Sequence, residues 1–230
     1  MKHTWWFGAA VGVNINSYRG STRELNSGLI SPVAFHNGNG DGLYFAPLAE
    51  YHFPGSGWGI MLQAGYDSRK GSFEPEISPH ICFVALFTNL SYITVEPSLR
   101  FALFKSKFYL YGGPRLAFNL NKSFSYIQLN NSDFYNDKVP TEVKGDFSNM
   151  KKAIISMQIG AGYDIPIVSR KNPTQIVLSP FVSFQPYFGQ SPRSIETWNI
   201  STLRAGVAFK LSQHKSNISN KRRYMKRKLF

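Results

Sequence analysis

A single cysteine, Cys82, leaves the chain without an intrachain disulfide. No uninterrupted apolar run reaches about 18 residues, so a transmembrane helix is excluded. Charge is also sparse: Asp, Glu, Lys and Arg make up 17% of 230 residues, against roughly 25% in ordinary soluble domains. That scarcity points to an outer surface partly out of water. The stretch WWFGAAVGV, after Lys2 and His3, has no convincing cleavage site and passes straight into a strand pattern, so no secretory leader is read there. HNGNGDG, at 36–42, has the glycines of a phosphate loop but does not follow a strand and open a helix. Its Asn and Gly predict tight turns at a loop tip.

The formal charge of +13 is concentrated at one end. Lys215, Lys221, Arg222, Arg223, Lys226, Arg227 and Lys228 account for seven of it, and no acid accompanies them. Residues 212–230 therefore read as a solvated, disordered basic tail, and 1–211 as the folded unit. No nucleic-acid partner is expected.

Aromatic residues, by contrast, are plentiful at 15%, with 19 Phe and 12 Tyr. The stretch LSYITVEPSLRFALF shows how they are used. Ile93, Val95, Pro97, Leu99, Phe101 and Leu103 share one parity, while Tyr92, Thr94, Glu96, Ser98 and Arg100 share the other. Side chains alternate across a strand, so this segment has one oily and one polar face. The same alternation runs through 5–17, 43–53, 58–67, 108–121, 155–165, 176–186 and 203–211, which predicts eight strands. Their oily faces carry no Lys, Arg, Asp or Glu. Glu50, Asp67, Glu96, Arg100, Arg115, Asp164, Arg204 and Lys210 all fall on the opposite faces.

Connection lengths favour lipid outside the oily faces. The links 54–57 and 105–107 are tight and 168–174 is modest, whereas 20–42, 70–89, 123–152 and 187–197 are longer. Short turns at one end and long loops at the other mark an outer-membrane barrel. The aromatic residues Trp5, Phe53, Trp58, Phe101, Phe108, Tyr163 and Phe209 collect near the short-turn level, as a periplasmic-side girdle would. The expected fold is all-β: an eight-stranded antiparallel transmembrane barrel, an up-and-down meander with both termini periplasmic. Pro47, Pro97, Pro114, Pro180 and Pro186 oppose this, because each removes a ladder donor. Bulges or local breaks in pairing are expected at them.

The fragments WWFGAAVGVNINSYRG, VEPSLRF, YLYGGPRLAF, LSPFVSF and LRAGVAFKL resemble the outer-membrane β-barrel domain of Bacteroidota, the group containing PorT-like and OmpA-like barrels. The resemblance spans roughly residues 5–211 and implies a location in the bacterial outer membrane. Members of that group are often followed by a periplasmic peptidoglycan-binding domain, and no such domain is visible after SQHKSNISNKRRYMKRKLF.

Eight strands close a barrel whose interior is just filled by side chains. Inward charges there need partners. Glu50 and Glu96 are therefore expected to pair with Arg100, Arg115 and Arg204 in a lumenal network that holds the barrel closed. This favours a structural or interaction role, with outer-membrane lipid as one partner and a protein or extracellular ligand at the loops as another. Loop 123–152, rich in Asn, Asp, Lys and Ser, suits such recognition. Porin-like transport of small solutes is the alternative. A third reading is a lipid or peptide hydrolase at the outer rim, built from His36 or His80 with Asp41 or Ser78, since His52 falls at the short-turn end. No cofactor or metal is implied.

Overall fold

The computed structural model describes residues 5–73, 76–78, 81–103, 106–129, 141–168, 174–196 and 198–213, with only the backbone described at 76–78, 81, 82, 129 and 213. Thirteen strands follow in chain order: β1 (Trp5–Arg19), β2 (Thr22–Asn26), β3 (Leu29–Phe35), β4 (Gly38–His52), β5 (Trp58–Phe73), β6 (Glu76–Ser78), β7 (Ile81–Ala102), β8 (Phe108–Leu129), β9 (Thr141–Asp146), β10 (Ala153–Tyr163), β11 (Ile165–Pro166), β12 (Thr174–Gln185) and β13 (Asn199–Gln213). Eight of them form a closed antiparallel ring, β1–β4–β5–β7–β8–β10–β12–β13, with β13 returning to β1. Closure removes free strand edges from the wall.

Along the lower part of this wall the outward side chains are apolar. On β1 they are Trp5, Phe7, Val11, Val13 and Ile15, all exposed. Eleven residues separate the ends of that set, counted inclusively. At about 3.3 Å per residue and the ~45° tilt usual for such strands, they rise roughly 25 Å, the height of a lipid-facing band.

Above the band the strands continue, and their amphipathicity inverts. On β5 the outward residues become Lys70 and Ser72, while Phe73 turns inward and is buried. On β7 Asn89 faces outward while Leu90, Leu86 and Val84 are buried, and Phe87 stays exposed on the outward side. The physical reason is the change of solvent. Lipid surrounds the lower wall and water the upper, so the apolar side must move from the outer to the inner face.

The longest strands, β7 and β8, have 22 residues each. The extra length corrects the expected loops. Residues 70–73 and 81–89 lie in β5 and β7, 123–129 in β8, and 141–146 in β9, which pairs with β8. The first loop contains the β2–β3 hairpin. The 38–42 part of HNGNGDG is not a loop tip but the start of β4. Its glycines allow close strand contact: a Cβ on Gly42 would overlap the Ser68 carbonyl oxygen.

One bulge rephases β8. Ser91 pairs with Asn121 but Tyr92 pairs with Asn119, so Leu120 is an extra residue. Below it Leu110, Phe118 and Leu120 face outward, and above it Phe124 and Tyr126 are buried. Asn121, expected on the inward face with Asn119, falls beyond this phase change and pairs with outward-parity Ser91.

Each of the five prolines sits beside a gap or an end of pairing. Pro47 keeps its pairing with β1, while the β4–β5 ladder lapses between Phe45↔Tyr66 and Leu48↔Gln63. Pro97 and Pro114 share the gap between Val95↔Leu116 and Leu99↔Gly112. Pro180 lies where β12 passes from β10 to β11, and Pro186 follows the last residue of β12. β13 runs to Gln213, two residues past the expected domain boundary at 211, and the basic residues from Lys215 onward lie outside the described residues.

Candidate functional site

The interior is occupied in layers. Around the middle, β5 supplies Asp67 and Arg69, β7 Glu96, β8 Arg115 and β13 Arg204, each almost completely buried. Alternation puts them on inward faces, while Arg69 stands two residues beyond Asp67 on the same face. Asp67 is the hub. It accepts from Arg69 Nη2 at 3.0 Å and Asn14 Nδ2 at 2.6 Å, bonds Arg115, and lies 3.3 Å from Arg204 Nη2. Glu96 accepts from Arg115 Nε at 3.2 Å, Arg204 Nη1 at 3.0 Å and the Tyr44 hydroxyl at 3.3 Å. Arg204 also lies over the Tyr44 ring, 3.4 Å from its centroid. Two carboxylates thus hold three guanidiniums. Arg69 also donates to the amide oxygens of Gln190, at 2.8 Å, and Gln185.

A second charged group lies nearer the turn end. Along the inward face of β4, Tyr44, Ala46 and Leu48 precede Glu50. Glu50 accepts from Lys210 Nζ at 2.7 Å, lies 3.6 Å from Arg100 Nε, and meets His52 Nε2 at 2.9 Å. Asp164 joins it, bonding Arg100 and accepting from Lys210 Nζ at 3.0 Å. The five residues named from sequence, Glu50, Glu96, Arg100, Arg115 and Arg204, therefore divide between two groups, with Arg100 beside Glu50 and the other two arginines beside Glu96. Asp67, Asp164 and Lys210 were legible by parity. Arg69 was not, because its strand was expected to end at Asp67.

The loop end is closed by aromatic packing. Trp198, fully buried, has ring centroids of Tyr18 at 5.2 Å, Phe147 at 5.3 Å and Phe73 at 5.7 Å. Leu25 and Phe35 from the first-loop hairpin complete this cluster with Phe124 and Tyr126. Arg193 clasps the loops above it. Its guanidinium donates to the Glu24 carbonyl, the Thr22 hydroxyl at 3.1 Å, the Ser148 carbonyl at 3.2 Å and Glu196 at 3.0 Å. Glu196 in turn accepts from the Arg23 and Glu24 amides at 2.8 and 3.0 Å. Burial lowers the Arg193 pKa below the ordinary guanidinium value, and Glu196 and Glu24 act against that shift. Sequence reasoning missed this clasp, since its members are scattered over three loops.

On the outside, the structure places Trp5, Phe53, Trp58, Phe101, Phe108, Tyr163 and Phe209 exposed on the turn-end half of the wall. Trp58 and Phe101 meet at 4.7 Å, and Tyr51 joins Trp5 at 4.8 Å. At the loop end, Ser201, Ser17 and Asn39 form a polar row next to that of Leu203, Ile15 and Asp41, in which the first two are the last outward apolar residues of β13 and β1. Of the rim candidates, His36 is exposed and its Nδ1 lies 3.3 Å from the Gly20 carbonyl. Asp41 stands on the exposed face of β4. His80 and the side chains of Ser78 and Cys82 lie outside the described residues.

Two solved structures have similar strand arrangements. Ail, the attachment invasion locus protein of Yersinia pestis, is 13% identical with a TM-score of 0.38, over 91% of this chain and 99% of that one. The outer membrane protein OprG from Pseudomonas aeruginosa is 12% identical with a TM-score of 0.37, over 93% and 97%. A search of curated proteins returns no match. The model of the outer membrane protein β-barrel domain matches residues 2–189, and the chain belongs to that family of the bacterial outer membrane.

Proposed function

We propose that this protein is a closed barrel that serves the outer membrane structurally and through contacts made by its loop end. The observation that carries this reading is the filled interior: the Trp198 cluster at the loop end, Asp67 with its three arginines at the middle, and Glu50 with Lys210 and Arg100 at the turn end. The two charge groups join strands distant in sequence, β4 to β13 and β5 to β8, so they hold the wall together while leaving little room for solute. Paired inward charges of this kind need one another, because a lone one is costly in a dry space.

The orientation follows from loop length, with short turns and both chain ends periplasmic and long loops outside. In that frame the seven aromatics from Trp5 to Phe209 form the periplasmic-side girdle. The loop-end sheet, carrying Lys70, Asn89, Ser123 and Ser125 outward, stands clear of the membrane as the surface for a protein or extracellular ligand. Kinship with PorT-like barrels of Bacteroidota is inferred from the five quoted fragments, and it predicts the Pro97–Pro114 pairing in those barrels too. The transport alternative is separated by proteoliposome swelling. Vesicles holding the protein should swell in isotonic small sugars or amino acids no faster than protein-free vesicles, and rapid swelling would favour transport.

A further inference from the structure

Arg19, the last residue of β1, is exposed, and its guanidinium takes part in no ion pair among the described residues. Two cavities meet at it. The larger, about 710 Å³, has Phe184 and Tyr187 as apolar walls and Ser201 and Asn199 as polar ones. The smaller, about 260 Å³, is polar and presents Asn37 and Asn39. No carboxylate lines either.

Position along β1 gives the height of this site. Phe184 pairs with Leu203, and Leu203 with Ile15, the last apolar outward residues of β12, β13 and β1, while the β4 partner of Ile15 is the exposed Asp41. The next outward row is Ser201, Ser17 and Asn39, and the row above it is Asn199 with Arg19. Four residues of a strand tilted by ~45° place Arg19 roughly 9 Å above Ile15, the last apolar outward residue of β1. An amphipathic lipid has the same layout, with chains below, a sugar or glycerol at the boundary and phosphate above.

We propose that this face binds one anionic glycolipid of the outer leaflet. Its phosphate bonds the Arg19 guanidinium, whose planar fork matches phosphate oxygens. Sugar hydroxyls meet Asn37, Asn39 and Ser17, and an acyl chain lies over Phe184 and Leu203. Tyr187, packed on Phe188 with ring centroids 4.4 Å apart, occupies the interfacial level that amphipathic rings favour. The inference rests on the orientation given above, which puts this end at the outer leaflet.

The test uses the full chain in phosphatidylcholine nanodiscs doped with diphosphorylated lipid A or its dephosphorylated form, with retained lipid counted by native mass spectrometry. The wild type should retain the phosphorylated form, and Arg19→Gln should lower that retention at least tenfold. Phe184→Ser should weaken retention of the acylated lipid. Equal retention by wild type and Arg19→Gln would overturn the proposal. So would displacement of the lipid by millimolar inorganic phosphate, which would reassign the site to a free anion. Orientation is read separately, by labelling Ser125→Cys in a Cys82→Ser background on intact cells with an impermeant thiol reagent. Absence of labelling there would refute the orientation and leave the nanodisc result standing on its own.

Discussion

Pro97 and Pro114 stand opposite each other across the β7–β8 ladder. The pairs on either side, Val95↔Leu116 and Leu99↔Gly112, share one register, and that register aligns the two rings within a single gap. Their other ladders are intact, with Leu62↔Pro97 towards β5 and Met157↔Pro114 towards β10. Two residues without N–H groups thus interrupt one place in the wall rather than two.

Replacing only one of these prolines restores a donor while the remaining ring still holds the gap open. Pro97→Val or Pro114→Val alone should raise stability little, and the double replacement should gain about 1–3 kcal/mol, from one or two restored hydrogen bonds. Urea unfolding in detergent micelles provides the double-mutant cycle, with positive coupling expected. Loss of stability in the double variant would show that the gap is required.

Asp67 is the carboxylate that three guanidiniums share, so its neutralisation should be worse than that of Glu96. Glu96→Gln leaves Asp67 to balance Arg69, Arg115 and Arg204 and should cost about 3 kcal/mol. Asp67→Asn leaves Arg69 with only amide partners and should cost about 3–5 kcal/mol. Unfolding midpoints in one detergent decide the order, and equal midpoints for Asp67→Asn and wild type would contradict it.

The closed loop end depends on Trp198 and Arg193. Trp198→Ala removes the ring that Tyr18, Phe73 and Phe147 surround and should cost about 3–5 kcal/mol by opening a cavity. Arg193→Ala should act more locally, speeding hydrogen exchange across β2 and β3 while the barrel wall stays protected. Unchanged exchange in the hairpin would show that the clasp does not hold it.

Depth along β1 gives a separate measure of where lipid lies. Val11→Arg, near mid-band, should destabilise the protein in a bilayer by about 2–4 kcal/mol, and Ile15→Arg, near the rim, by about 0–1 kcal/mol. A soluble environment would not rank the two sites by depth. Equal costs would place the band elsewhere.

The barrel wall was legible because lipid allows no outward charge, and the parity of Glu96, Arg100 and Arg204 therefore announced the inside. What escaped was the upper wall, for one physical reason: above the band the apolar side chains switch faces. In β8 the switch is also hidden. Leu110, Phe118, Leu120, Phe124 and Tyr126 keep one parity in the chain, yet the bulge at Leu120 sends the first three to lipid and the last two inward. Arg69 was missed with the same segment, since its strand was expected to end at Asp67, where the oily outward face ends. Pairings between charges were legible only as a set of candidates, because strand neighbours do not fix which arginine reaches across the interior.

The proposed function rests on a closed interior. Single-channel recording in planar bilayers tests it most directly. The filled lumen predicts no steady current after insertion of the wild-type protein, whereas a stable, ohmic open state would contradict the closed barrel and favour solute passage.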